Sequence, residues 1–322
     1  MPAMSRLLLI RTSSMGDLVH TLPAVTDLAR RFPAMAIDWL VEESFADIAR
    51  LHPAVAGVVP IAMRRWRKAL FSTGTWRELR AVRTTLRSSH YDLVLDSQGL
   101  MKSVLFGKLV RDAPMAGYDR ASIREPMASL FYDKRYSVSW ERNAVDRNRL
   151  LFGQVFGYEP DLAQCDFGVR TGPAPDWCPA RYAVLLTATS RDSKLWPEAS
   201  WVALGSTLTA RDGLQCVLPW GNAAEQQRAQ RLAALIPGAL VAPRERLDVA
   251  AALLAHAQAV VGVDTGLTHL ANAVDVPLVA IYTDTDPLRT GVVETARSRN
   301  IGGIGQCPDV GAVLAVLAEC RS

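Results

Sequence analysis

Three groups of residues in this 322-residue chain have the types and spacing to do chemistry. The first is a lone carboxylate. After the apolar run Leu7-Leu8-Leu9-Ile10 the chain reads Arg11-Thr12-Ser13-Ser14-Met15-Gly16-Asp17, and an apolar helical pattern follows. Asp17 suits two roles there. It can cap the helix by accepting hydrogen bonds from its first free N–H groups. It can equally be a catalytic base at the edge where α/β sheets bind their ligands. His20, three residues on, suggests an acid–base pair, but no third group to orient it is evident, so a structural imidazole or substrate contact fits better.

The second group is spread over three loops, each following a strand-like run. TATSRDSKLWPEASW (187–201) offers the hydroxyls of Thr189 and Ser190 and the cation of Lys194, which alone would read as an exposed lysine. LPWGNAAEQQRAQRL (218–232) has Gly221 at a turn and Glu225 in the first turn of a helix, where an acid either complements the dipole or meets a ligand. VVGVDTGLTHLANAVDVP (260–277) ends a strand in Asp264-Thr265-Gly266 and opens a helix through Leu267, Thr268 and His269. A glycine at a strand-to-helix junction admits a phosphate to free backbone N–H groups, so this loop carries the strongest physical signal. It is neither a Walker A sequence nor G-x-G-x-x-G, which disfavours a dinucleotide. Asp264 fits a helix cap or a sugar-binding carboxylate, and His269 a ligand or a helix–sheet contact. Asp284-Thr285-Asp286 resembles the D-x-D that holds a metal-bound nucleotide sugar, but Pro287 follows and a turn reads better.

The third group is basic. Residues 61–90 hold eight Arg or Lys against the single acid Glu78, although the whole chain carries only +4. Arg77, Arg80, Arg83 and Arg87 recur every three or four residues, as an exposed helical stripe does. RRWRKALF (64–71) is denser and interleaves Arg64, Arg65, Arg67 and Lys68 with Trp66, Leu70 and Phe71. That pattern suits an anionic ligand or an anionic membrane surface. No nucleic-acid-binding signature accompanies it.

The elements that must position these groups alternate. Strand-like runs fall at 6–11, 36–42, 56–61, 91–96, 115–118, 183–189, 214–219, 239–242, 259–263 and 277–282. Helical patterns lie between them at 75–88, 100–111, 143–156, 198–210, 223–235, 247–257 and 267–274. Continuous apolar strands alternating with helices predict α/β architecture with parallel sheets covered on both faces. The proline-rich segment 159–180 is the natural linker. We therefore expect two doubly wound domains, 1–165 and 175–305, facing each other across a cleft, with a helix at 309–322 that could pack on either. Apolar residues make up 49% and charged residues 21%, an ordinary soluble composition. No run approaches a membrane span of roughly 18 residues, and four apolar residues between Arg6 and Arg11 are too few for a signal peptide. Five scattered cysteines without a C-x-x-C pair predict a reducing, cytoplasmic setting with no disulfide framework and no zinc site.

RTSSMGDLVHTLPA, IDWLVEESFADI, IAMRRWRKALF, YDLVLDSQGLMKS, REPMASLFY, ATSRDSKLWPEASW, LPWGNAAEQQRAQRL and VDTGLTHLANAVDVP occur in this order. In this the chain resembles the lipopolysaccharide heptosyltransferase I family along nearly its whole length. The resemblance implies a GT-B fold: two Rossmann-like domains, the acceptor on the first and the nucleotide sugar on the second. It implies inverting transfer of L-glycero-D-manno-heptose from ADP-heptose to the Kdo of Kdo-lipid A in the inner core. Asp17 would be the base and Lys194 the cation that neutralises the departing diphosphate. Thr189, Ser190 and the backbone of Thr265, Gly266, Leu267 and Thr268 would hold that diphosphate without a metal or other cofactor. Asp264 would lie near heptose hydroxyls and Glu225 near the ribose, with His269 supporting the loop. Arg64, Arg65, Arg67, Lys68, Gln98 and Arg124 would bind the acidic acceptor, at the anionic cytoplasmic face of the inner membrane, with no nucleic acid involved. Three departures from the family pattern stand out: Ser190 for a threonine, Glu245 for a methionine near the adenine, and YTDTDP (282–287) for Y-G-x-T-D-P. The alternatives are a later-acting heptosyltransferase, a nucleotide-sugar epimerase, and a non-catalytic anion- or nucleic-acid-binding protein.

Overall fold

The computed structural model describes residues 4–322. Among them, twelve strands form two six-stranded sheets, and the chain divides into two compact units between Gly168 and Val169. In the first unit β1 (Arg6–Ile10), β2 (Ala36–Glu42), β3 (Val55–Ile61), β4 (Leu93–Asp96), β5 (Met115–Tyr118) and β6 (Lys134–Tyr136) lie in the order β3-β2-β1-β4-β5-β6. In the second, β7 (Tyr182–Leu186), β8 (Gln215–Leu218), β9 (Leu240–Val241), β10 (Ala259–Val263), β11 (Leu278–Tyr282) and β12 (Ser298–Gly302) lie in the order β9-β8-β7-β10-β11-β12. Every pairing is parallel. Both sheets thus have the 3-2-1-4-5-6 order of a doubly wound Rossmann-like domain. The order reverses between β1 and β4 in one and between β7 and β10 in the other, and ligands bind beyond the carboxyl ends of such strand pairs. The loops after these four strands are therefore where chemistry belongs.

Burial explains why these runs are strands. Leu7 to Ile10 are at most 1% exposed, and all of β7, β10 and β11 is buried. Each such aliphatic side chain contributes about 1.5–3 kcal/mol relative to exposure, far more than the β-propensity differences among them. β2, β5 and β10 have the bounds expected from the apolar runs. β7 stops at Leu186 rather than at 189, because Thr187 to Thr189 already belong to the loop that meets Asp264.

Two strands escaped the pattern. β6 (KRY) and β12 (SRNIG) are edge strands of mixed polarity, paired on one side only, so neither shows a continuous apolar run. β12 also completes the second unit towards its end. The helix Val310–Arg321, expected as an element apart, buries Val313, Leu317 and Cys320 in the same core as Trp196, Trp201 and Leu204. The linker is tied to the first unit by Arg149, which is buried, pairs with Asp27 at 2.7 Å and donates to the carbonyls of Asp161 and Gln164.

Candidate active site

In the second unit the site is built around Asp264, the first residue after β10. Thr268 Oγ1 donates to the carbonyl of Val263 at 2.6 Å, and Gly262 is glycine because a Cβ there would collide with that hydroxyl. The strand end is thereby stitched to the helix Gly266–Ala273 that follows it. Thr189, arriving from β7, donates its hydroxyl to the Asp264 carbonyl at 2.7 Å. The Asp264 carboxylate is buried and has three neighbours: Lys194 Nζ at 2.6 Å, Thr285 Oγ1 at 2.8 Å and His269 Nε2 at 3.7 Å. Burial pushes its pKa up, but the bonds from His269, Lys194 and Thr285 prevail and hold the carboxyl far below the usual range. Asp264 is an anion at any working pH.

Lys194 ends the one-turn helix Asp192–Lys194. Two residues later Trp196 is fully buried, edge-on to Trp201 with ring centroids 5.0 Å apart, and its Nε1 donates to the Pro308 carbonyl at 2.8 Å. Arg228 reaches the Trp196 carbonyl at 3.0 Å. An exposed-looking lysine is therefore carried on a pinned loop. Beside it, Thr265 caps the helix Gly266–Ala273, whose first amides, on Gly266 and Leu267, have no carbonyl ahead of them within the helix. The Thr268 and His269 amides already donate to Thr265 O, so of the helix's first amides those of Gly266 and Leu267 are the ones placed to meet an anion. Lysine, hydroxyls and helix amides together make a site for an anionic, hydroxyl-rich ligand. Ser190 is exposed at its rim.

Glu225 has a different set of partners. Its carboxylate accepts from Gly221 N at 2.7 Å and Asn222 Nδ2 at 2.6 Å, while Asn222 Oδ1 accepts from Glu225 N at 3.1 Å. That is a reciprocal cap on the helix Ala223–Leu235. Glu245, the residue that departs from the family pattern, accepts from Trp177 Nε1 at 3.0 Å. Asp284 accepts from Ser193 Oγ, and Asp286 caps the helix Pro287–Thr290 through Leu288 N, so the two carboxylates of the D-x-D look-alike serve separate partners.

In the first unit the loop after β1 opens the helix Met15–Val19. Asp17 is its third residue, and its Oδ2 accepts from Ser14 N at 2.7 Å and Ser14 Oγ at 2.9 Å. Asp17 is thus not the N-cap, which is Ser14; from the third helical position it reaches back to the Ser14 amide, the acidic half of a capping box, and accepts from Ser14 rather than from the helix's own free N–H groups. The second carboxylate oxygen is 3.9 Å from Arg11 Nη2, and the side chain remains 36% exposed. Burial raises the pKa of Asp17, yet the Arg11 guanidinium and the Ser14 bonds outweigh it and hold the carboxyl below its ordinary value. Arg11 is itself anchored, donating to the carbonyls of Ser97 and Asp17.

A profile for glycosyltransferase family 9 (heptosyltransferase) matches residues 79–312. The chain belongs to glycosyltransferase family 9. It is 48% identical to lipopolysaccharide heptosyltransferase 1 of Pseudomonas aeruginosa over 287 residues, covering 89% of this chain and 81% of that one. Identity to the Escherichia coli K12 heptosyltransferase 1 is 43%, covering 88% and 89%. The solved structure of E. coli heptosyltransferase WaaC with ADP superposes with a TM-score of 0.88 at 39% identity, covering 98% of this chain and 99% of that chain. The protein is thus a glycosyltransferase with two Rossmann-like domains of the GT-B type.

For this family 9 enzyme the expected acceptor residues divide by environment. Arg65 already commits four of its five N–H groups: it is bidentate to Glu43 (3.1 and 2.9 Å) and to Glu78 (3.0 and 2.9 Å), and those bonds raise its pKa. Trp66, whose place among the cations suited contact with an anionic ligand or membrane surface, is instead 3% exposed and donates to Glu78 at 2.6 Å. That expectation is corrected: the four-residue helix Met63–Trp66 turns its indole inward, while Leu70 and Phe71 stay out at 54% and 101% exposure. Arg64, Arg67 and Lys68 are exposed, and Arg64 lies over the Phe45 ring at 5.1 Å. Glu42 fixes the start of this helix, accepting from the amides of Met63 and Arg64.

Gln98 is better described as a clamp on the Asp17 loop. Its Oε1 accepts from Thr12 N (2.7 Å), Thr12 Oγ1 (3.2 Å) and Ser13 N (3.0 Å), and its Nε2 donates to Ser13 O at 2.7 Å. Asp96, wholly buried, anchors the clamp by accepting from Gln98 N and Gly99 N. Gly99, at φ +70°, turns the chain there, and Arg124 stands on the segment packed against it. The sequence reading missed Lys102, whose ammonium donates to Ser13 Oγ at 2.9 Å and whose pKa is lowered by burial and by the charge of Arg67. Its signal was the helix start after Gly99, where a side chain returns towards the loop of β1.

Proposed function

We propose that this enzyme transfers L-glycero-D-manno-heptose from ADP-heptose to the Kdo of the lipopolysaccharide inner core, with inversion at the anomeric carbon. The observation that carries this reading is the match to heptosyltransferase 1 over nearly nine-tenths of the chain, at an identity of 43–48%. It favours the first core heptose over a later one. Asp17, ionised and half-exposed, takes the proton of the acceptor hydroxyl as that oxygen bonds to the anomeric carbon. The bond from that carbon to the β-phosphate oxygen breaks, and ADP leaves with the electron pair. Lys194 and the amides of Gly266 and Leu267 bind the diphosphate, Thr189 and Ser190 line it, and no metal is needed. Asp264 presents Lys194 and turns an oxygen towards the heptose hydroxyls, with His269 behind it. Glu225 orders the turn that meets the ribose. Arg64, Arg67, Lys68 and Arg124 bind the acceptor's carboxylates and phosphates, while Arg65 and Gln98 hold the elements that carry them.

Among the described residues no helix is long and apolar enough to cross a membrane. The acceptor is a lipid, so the enzyme works against the anionic cytoplasmic face of the inner membrane, touching it through Leu70, Phe71 and the neighbouring cations. The test is to incubate the protein with ADP-heptose and Kdo-lipid A and follow ADP release and lipid mass together. Stoichiometric ADP and a lipid heavier by one heptose are expected. Conversion of ADP-heptose without acceptor would point to an epimerase, and no conversion at all to a binding protein.

A further inference from the structure

The loop after β11, where the sequence reads Thr283-Asp284 in place of a glycine and its neighbour, reaches the donor site at two points. Thr285 bonds the Asp264 carboxylate. The two residues before it grip the turn that carries Lys194. Thr283 Oγ1 donates to the Ser193 carbonyl at 3.0 Å, and Ser193 Oγ donates to Asp284 Oδ2 at 2.5 Å. Ser193, the middle residue of the helix Asp192–Lys194, is thus held by both its backbone and its side chain. We propose that Thr283 and Asp284 are positioning residues for the donor, a latch that fixes the Asp192–Lys194 turn so that the lysine ammonium stays presented beside Asp264 for the incoming diphosphate. The proposal rests on the assignment of Lys194 as the diphosphate cation.

The physical argument starts from the turn. Lys194 carries a compact charge on a flexible four-carbon stem, so its placement depends on what holds its backbone. On its far side Trp196 is buried, which fixes the residues after Lys194. On its near side Arg191, Asp192 and Ser193 are exposed and bury no apolar surface that would fix them. The two bonds from the β11 loop supply the missing constraint. A glycine at 283 has no hydroxyl to give, and an apolar residue at 284 has no acceptor, so the latch belongs to these two side chains. Both bonds lie at the surface, so breaking them costs the fold little while freeing the lysine from its preset geometry.

The test is a variant set: Thr283→Val, which keeps shape without the hydroxyl, Asp284→Ala, their combination, and the conservative Thr283→Ser. Donor KM, acceptor KM, kcat, Tm and the Kd for ADP are measured for each, and the double variant is repeated on Lys194→Ala. The double variant should raise the donor KM and the Kd for ADP by about 3- to 10-fold, the range expected for losing one or two exposed hydrogen bonds. Acceptor KM and Tm should stay unchanged, Thr283→Ser should behave as the natural protein, and on Lys194→Ala the latch substitutions should add nothing. An unchanged donor KM, or a fall in Tm alone, would overturn the latch. A full additional loss on Lys194→Ala would show that the loop acts on the donor directly and overturn it too. Normal donor KM and kcat for Lys194→Ala itself would remove the assignment of Lys194, and the latch with it.

Discussion

Replacing Asp17 by asparagine separates its two roles, because the structure lets the cap survive while the base is lost. The asparagine side chain is nearly the same size: its carbonyl oxygen, in the place of Oδ2, can still accept from both Ser14 N and Ser14 Oγ. What disappears is the charge facing Arg11 at 3.9 Å. Two unit charges at that separation interact by about 4 kcal/mol at an effective dielectric of 20. With the carboxylate 36% exposed, solvent screening reduces the net value to roughly 1 kcal/mol, similar to a helix cap. The stability loss should therefore be about 1 kcal/mol, visible as a modest fall in Tm. Loss of a general base costs far more, about 10²–10⁴-fold in turnover, or roughly 3–5 kcal/mol of barrier. The assay is kcat at saturating donor and acceptor, beside a thermal melt and an ADP titration, which should be unaffected because Asp17 and the residues proposed to bind the donor belong to different units. A folded Asp17→Asn enzyme with normal turnover would refute the assignment and leave Asp17 as a cap alone.

The pH dependence follows from the same geometry. The pKa of Asp17 is lowered in the fold, and only the ionised form can accept a proton. Its acid limb should thus lie below the ordinary value of 3.8, with kcat/KM flat from neutrality down to mildly acidic pH unless another group titrates. Because the folded pKa is depressed, Asp17 also contributes stability that is full above its unfolded value and is lost as pH falls through the folded one. Arg11→Gln removes the main lowering influence, so the limb should move up in pH; an unmoved limb would mean that another group controls it.

Two further outcomes are expected. If cations and helix amides serve the leaving diphosphate, as proposed, activity should survive complete chelation of divalent ions; loss with EDTA, restored by Mg²⁺ or Mn²⁺, would return Asp284 and Asp286 to consideration as metal ligands. Within the basic cluster, Arg64→Ala with Arg67→Ala should raise the KM for Kdo-lipid A and spare that for ADP-heptose, whereas Arg65→Ala should lower Tm and leave acceptor KM within about 2-fold, as an exposed pair of salt bridges implies; the opposite assignment of the two effects would make Arg65 the acceptor ligand.

How far the sequence discloses such a site depends on how local its physics is. β5 and β10 are legible because a strand buried on both faces must be apolar along its length, and that is a property of consecutive residues. The placement of Thr189 and Asp264 follows from the same logic, since a polar residue just beyond such a run stands at the carboxyl edge of the sheet. β6 and β12 are hidden because their residues are of mixed polarity, which an edge position tolerates, whereas the apolar edge strands β3 and β9 are legible. The cations show the limit most clearly. Arg64, Arg65, Arg67 and Lys68 look alike in sequence, and what sets Arg65 apart is Glu43, 22 residues before it, and Glu78, 13 residues after it. Trp66 is buried for the same reason, through its bond to Glu78. Gln98 reads as a ligand until β1 and β4 are laid side by side, and then its amide meets the Thr12–Ser13 backbone, 85 to 86 residues away. Residue type and spacing can therefore say which chemistry a loop is able to perform. Which side chains are free to perform it is decided by pairings that only the folded sheets bring together.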